Sequence, residues 1–130
     1  MTHVPVSSEV DATARAIVDA AIKVHKTLGP GLLESVYEAC LYHELVQRGL
    51  RVERQVAVPI VYDGITLREG LRLDLLVNDH VICELKTVES LQPIHQAQLL
   101  TQLKLSGRRL GLLLNSNVVL MKNGIRRLVV

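Results

Sequence analysis

Asp74, Glu84 and Lys86 are the residues through which this sequence offers chemistry. They interrupt LDLLVNDHVICELK, Leu73 to Lys86, whose other residues mostly suit a strand entering a core. Acids and lysines rarely stand at buried positions without a partner, so these three need a reason. Asn78-Asp79-His80 reads as a three-residue hairpin loop. With that loop Val77 pairs with Val81, and Asp74 falls opposite Glu84 with Cβ atoms about 4.5–5.5 Å apart. Lys86 shares their face because strand side chains alternate. A two-residue loop would instead send the acids to opposite faces.

Facing carboxylates repel unless a cation sits between them. Lys86 could supply part of that charge. A divalent ion supplies more, and an all-oxygen donor set suits Mg²⁺ or Mn²⁺. The Leu85 carbonyl could add a ligand. Lys86 would then orient the attacking water or stabilise charge on a phosphoryl oxygen. The same three residues also suit an ordinary solvent-facing strand edge, since D…ExK is a short pattern.

Other residues could converge on the acids. Glu34 opens a helix, with Tyr37 three residues on and so on the same face; an acid also simply favours a helix N-terminus. His95, Gln98 and Gln102 form a narrow polar stripe on a later helix beside Leu99 and Leu103. His25, near the end of the first helix, is placed to serve that helix end. Lys104, Arg108, Arg109, Arg126 and Arg127 read as solvated charge, or as a phosphate-contacting rim if they flank the acids.

The elements that must position these residues follow from periodicity. Residues 1–7 read as a flexible tail and 8–130 as a single domain. Val10, Ala14, Ile17, Ala21, Val24 and Leu28 recur at helical spacing, and Gly29-Pro30-Gly31 stops that helix. A second helix runs from about Leu33 to Gln47. The period then changes to two through Val56, Val58 and Ile60, and Asp63-Gly64 is a hairpin turn. A third helix spans about Pro93 to Leu105. LGLLLN, VVLM and IRRLVV read as short strands. The order predicts an α/β domain, a mixed central β-sheet flanked by α-helices.

Composition bounds the partners. The chain has 130 residues, 48% of them hydrophobic, with no Trp or Phe, so aliphatic residues must build the core. Mean hydropathy is +0.26, high for a small domain, which points to a homodimer that covers apolar surface. The net charge of +2 does not by itself signal nucleic-acid binding. Cys40 and Cys83 form no CxxC pair and read as buried thiols of a reduced, cytoplasmic protein. No apolar run approaches membrane-spanning length, so no membrane partner is expected.

VHKTLGPGLLESVYEACLYHEL resembles the signature of the GxxExxY proteins, with Gly31, Glu34 and Tyr37 at the named positions. That family lies in the PD-(D/E)XK nuclease-like superfamily. The resemblance continues through YDGITL, RLDLLVNDHVICELK, HQAQLL, GLLLN and NGIRR. It implies a restriction-endonuclease-like core and a metal-dependent nuclease acting on nucleic acid, DNA first. It implies that Asp74 and Glu84 bind the metal, that Glu34 completes or adjusts the site, and that Lys86 is catalytic. Gln98 matches the supporting helix glutamine, with His95 beside it. Gln102 stands where relatives often carry Tyr, and Ser116 where they carry an aromatic residue. The alternative reading is a non-catalytic nucleic-acid-binding or assembly module that keeps the fold, and a nucleotide hydrolase differs only in substrate size.

Overall fold

The computed structural model describes residues 4–130. Helix α1 (Ser8–Leu28) starts one residue later than its cap: the Ser7 side chain accepts the Val10 N–H at 3.2 Å. Glu9 and Asp11 favour its first turn, and His25 and Lys26 its last. Helix α2 is Glu34–Gln47. Strands β1 (Val52–Tyr62) and β2 (Ile65–Val77) form a long hairpin. Its turn residues Asp63 and Gly64 have φ of 49° and 79°, the left-handed pair that matches strand twist. Strand β3 is Val81–Lys86, α3 is Pro93–Ser106, β4 is Leu110–Asn115 and β5 is Ile125–Val129.

The sheet order is β1-β2-β3-β4-β5, antiparallel except for the parallel pair β3–β4 that α3 connects. The result is a five-stranded mixed sheet with helices on both faces, a restriction-endonuclease-like α/β fold. Helices α1 and α2 cover one face, where Ile17, Leu41 and Leu45 meet Leu75, Val77, Cys83, Leu85 and Leu112. Helix α3 covers the other, where Leu99 and Leu103 meet Leu76, Ile82 and Leu113. Every residue of β4 is buried, as expected for a central strand covered on both sides. No described helix is long and apolar enough to cross a membrane.

One expectation about the chain's path changes. Residues 1–3 of the expected tail lie outside the described residues; along 4–7, Arg109 donates to the carbonyls of Val4 and Pro5, Val6 packs on the core, and Ser7 caps α1. VVLM is not a strand. The chain reverses between antiparallel β4 and β5, and this apolar run spans the reversal, with a 3-10 turn at Met121–Gly124. Its two ends are used in packing, with Met121 in the core and Val118 against it, while Val119 and Leu120 between them are exposed. His25 fixes the start of this connection, its Nε2 lying 3.2 Å and 2.9 Å from the carbonyls of Ser116 and Val118.

Gly124 closes that turn. A Cβ there would stand 2.0 Å from the backbone oxygen of Asn115, which cannot swing away as a side chain can. Gly124→Ala is therefore expected to cost about 1–3 kcal/mol by overpacking. Urea denaturation should show a lower midpoint at unchanged slope.

Candidate active site

The β2–β3 ladder runs Val77–Val81, Leu76–Ile82 and Leu75–Cys83, then stops. The three-residue loop is the one the sequence favoured, and Asn78 and Asp79 take left-handed φ of 51° and 61° to close it. One step further the register would pair Asp74 with Glu84, but there the backbone ladder gives way to side chains. Asp74 Oδ2 accepts the Leu85 N–H at 2.9 Å. The edge of β3 that faces β2 at Leu85 also carries the Leu85 carbonyl, since both peptide groups of a strand residue project to one side.

Glu84 lies on the α3 face of β3 and is 8% exposed. Gln102 of α3 donates to its Oε2 at 2.9 Å, and Lys86 Nζ lies 3.8 Å from the same oxygen. The other oxygen, Oε1, is buried with no donor among the described residues, and so is Oε1 of Gln102. Two buried acceptors without a donor call for a proton, an ordered water or a cation. Burial first, then hydrogen bonding to Asp74 and its charge, push the Glu84 carboxyl up to about 8, against the opposing pull of Gln102 and Lys86.

Helix α2 approaches from the opposite face. Glu34 is exposed at its first turn; partial burial first, then the Asp74 charge, raise its pKa, with Lys86 opposing. It thus feels the site without a direct hydrogen bond among the described residues. Tyr37 does not join it. Tyr37 is 4% exposed in the α1–α2 core, and its hydroxyl donates to the Gly29 carbonyl, pinning the loop that leads into α2. The i+4 residue faces the acids instead: Glu38, also 8% exposed, accepts Arg54 Nη2 at 3.0 Å and Gln55 Nε2 at 2.6 Å. Gln55 Nε2 also lies 3.4 Å from Asp74 Oδ1. Glu38 and Gln55 escaped the sequence reading. Glu38 carried a signal, sharing a helix face with Glu34 one turn on; Gln55 carried none.

On α3 the roles shift. Gln98 is exposed and has no hydrogen bond among those described, while Gln102, the expected aromatic position, holds Glu84. His95 closes the helix start: its Nδ1 accepts the Gln92 N–H at 2.9 Å. Of the basic residues, Arg126 stands level with Glu84 two strands away, through the Glu84–Leu113 and Leu113–Arg126 pairs, while Arg108, Arg109 and Arg127 are held by other partners. Arg108 binds Asp79 at 2.7 Å, Arg109 binds the Val130 carbonyl at 2.9 Å, and Arg127 pairs with Asp11 at 2.9 Å. Arg126 turns back on the Ile125 carbonyl, and Lys104 is exposed in the last turn of α3. Asp79 precedes β3 and Lys86 ends it, so the Arg108 contact lies roughly 20 Å from the lysine at strand rise.

The donor set can be tested against a divalent ion. No group of three or more His, Cys, Asp or Glu among the described residues is arranged to hold one, so Glu34 is not drawn in as a third side-chain ligand. Two carboxylates and the peptide edge of Leu85 remain. Mg²⁺ is commonly held by one or two carboxylates and completed by waters and substrate phosphate. The orphaned Glu84 oxygen beside Asp74 fits that pattern.

The raised Glu84 pKa gives a pH signature to the metal-free protein. The folded chain holds this proton up to about 8, whereas the unfolded carboxyl releases it near 4.5. Its contribution to stability is full below the lower value and is lost as pH rises through the upper one. Under chelator, the melting temperature should fall between about pH 5 and about pH 9, and Glu84→Gln should flatten that fall.

No curated protein and no solved structure matches the chain. A family model described as the PD-(D/E)XK nuclease superfamily matches residues 11–128, from the first turn of α1 into β5. The chain belongs to the PD-(D/E)XK nuclease superfamily.

Proposed function

We propose that the protein is a metal-dependent nuclease of the GxxExxY type that hydrolyses phosphodiester bonds in nucleic acid, DNA first, with Mg²⁺ or Mn²⁺. The observation that carries this reading is the buried, donorless Glu84 Oε1 beside the Asp74 carboxylate. Asp74, Glu84 and the Leu85 carbonyl would hold the ion, with Glu34 adjusting the charge around it. A bound divalent ion lowers the pKa of water and offsets charge on a phosphoryl group. Gln102 fixes the Glu84 carboxylate, so the supporting role given to Gln98 passes to Gln102. Lys86, partly exposed and 3.8 Å from Glu84, would orient water or stabilise a phosphoryl oxygen.

The alternative of a non-catalytic nucleic-acid-binding or assembly module is favoured, in its assembly form, by one observation: Arg108, Arg109 and Arg127 are engaged in holding the fold. Metal titration separates the readings. Wild type should bind Mn²⁺ and cleave DNA. Lys86→Ala should bind Mn²⁺ nearly as well while cleavage falls by about 100-fold or more. Asp74→Ala should lose binding and, under chelator above about pH 8, where the Glu84 proton no longer relieves the repulsion, melt higher than wild type. Wild type that binds no Mn²⁺ at millimolar concentration, with Asp74→Ala the less stable protein, would leave the module reading in place.

We propose also a homodimer. The distal part of the β1–β2 hairpin exposes Val61, Tyr62, Ile65 and Leu67, apolar surface of the kind the aliphatic excess implies. A monomer in light scattering at high micromolar concentration would count against it.

A further inference from the structure

We propose that Gln55 is a positioning residue that aims the Asp74 carboxylate, with Glu38 as its anchor. This rests on the metal-site reading of Asp74. In the β1–β2 ladder Arg54 pairs with Leu75 and Val56 with Leu73, but Gln55 and Asp74 between them do not pair. At that point both strands exchange faces. Val77 and Leu75 pack toward α1 and α2, whereas Leu73 and Leu71 pack toward α3. In β1, Val52 packs toward α1 and α2 and Arg54 binds Glu38 of α2, whereas Val56 and Val58 pack toward α3. Gln55 sits at the exchange with φ of 51°, a left-handed backbone that a glutamine seldom adopts.

The side chain gives this conformation its use. One amide nitrogen carries two hydrogens. Gln55 Nε2 is 2.6 Å from Glu38 Oε1 and 3.4 Å from Asp74 Oδ1, so a neutral donor stands between two acids. Glu38 cannot drift, because Arg54 Nε and Nη2 hold its other oxygen at 3.2 Å and 3.0 Å. Asp74 is then fixed at both oxygens, by Gln55 on one and the Leu85 N–H on the other. Its orientation toward Glu84 is set before any ion arrives. Residues that orient ligands in this way are commonly worth about 10- to 100-fold in metal affinity.

Gln55→Asn tests the assignment. Asn tolerates the left-handed backbone well, but it is one methylene shorter and cannot span the two carboxylates. The variant should bind Mn²⁺ about 10- to 100-fold more weakly in calorimetric titration and exchange its Leu85 amide faster under chelator, relative to the Leu113 amide of β4. Gln55→Gly, which suits the backbone and has no amide, should do the same and serves if the Asn variant misfolds. Unchanged Mn²⁺ affinity and unchanged Leu85 exchange in these variants would overturn the proposal and leave Gln55 as a bulge residue. If wild type binds no Mn²⁺, the metal reading fails, and Leu85 exchange alone decides whether Gln55 aims Asp74.

Discussion

Where the β2–β3 ladder ends, Asp74 and Glu84 are held together, and their mutual repulsion shapes what surrounds them. The backbone pairs that would continue the ladder are replaced by a carboxylate that accepts the Leu85 N–H. Neither acid can retreat into water. Glu84 is under α3, and Asp74 is tied to Leu85 and approached by Gln55. In the metal-free chain a proton held by Glu84 up to about pH 8 relieves the repulsion. A chain selected only for stability would place an aliphatic pair here, because replacing buried charge by well-packed apolar residues is often neutral or stabilising.

The scaffold is arranged to hold this strained pair from both sides. Helix α3 contributes Gln102 from one face, and α2 contributes Glu38 through Gln55 from the other. The strands change faces at the same point, which brings groups from opposite sides of a sheet to one edge. The connections behind these elements are fixed by polar contacts outside the site. Tyr37 pins the loop before α2, and Asn115 accepts the Val88 N–H at 3.1 Å and donates to the Val88 carbonyl at 3.0 Å, holding the segment that leads from Lys86 to α3.

Much of this was legible in the sequence because it rests on short-range rules. Asp63-Gly64 and Asn78-Asp79-His80 dictate their turns, and the second turn fixes the register that brings Asp74 to the level of Glu84. Helical spacing gave α1 to α3 within a residue or two, aided by Gly29 at the end of α1. What sequence could not give was decided by tertiary contact. VVLM has strand composition, but its place between antiparallel neighbours makes it a connection. Tyr37 and Glu38 are adjacent, and only the packing of α2 on α1 decides that the tyrosine turns inward. Gln98 and Gln102 occupy nearly the same stripe, and the crossing of α3 over β3 selects the second. The face exchange at Gln55 leaves no periodic trace, because one irregular residue between regular runs looks like ordinary strand.

The charge balance around the acids bears on how a phosphate could approach them. Glu34, Glu38, Asp74 and Glu84 gather against Arg54 and Lys86. If all were ionised, four acids would face two bases, leaving an excess of two negative charges. A phosphodiester, itself anionic, would be repelled from such a site, and Arg108 and Arg109 are engaged in holding the fold. A proton on Glu84 removes one of those charges but leaves the site negative. A divalent ion removes both, and it would meet Glu84 at Oε1, which lacks a donor among the described residues. On the proposed reading, the ion therefore makes the site electrostatically open to nucleic acid, and Lys86 can then face the phosphate instead of being spent on neutralising Glu84.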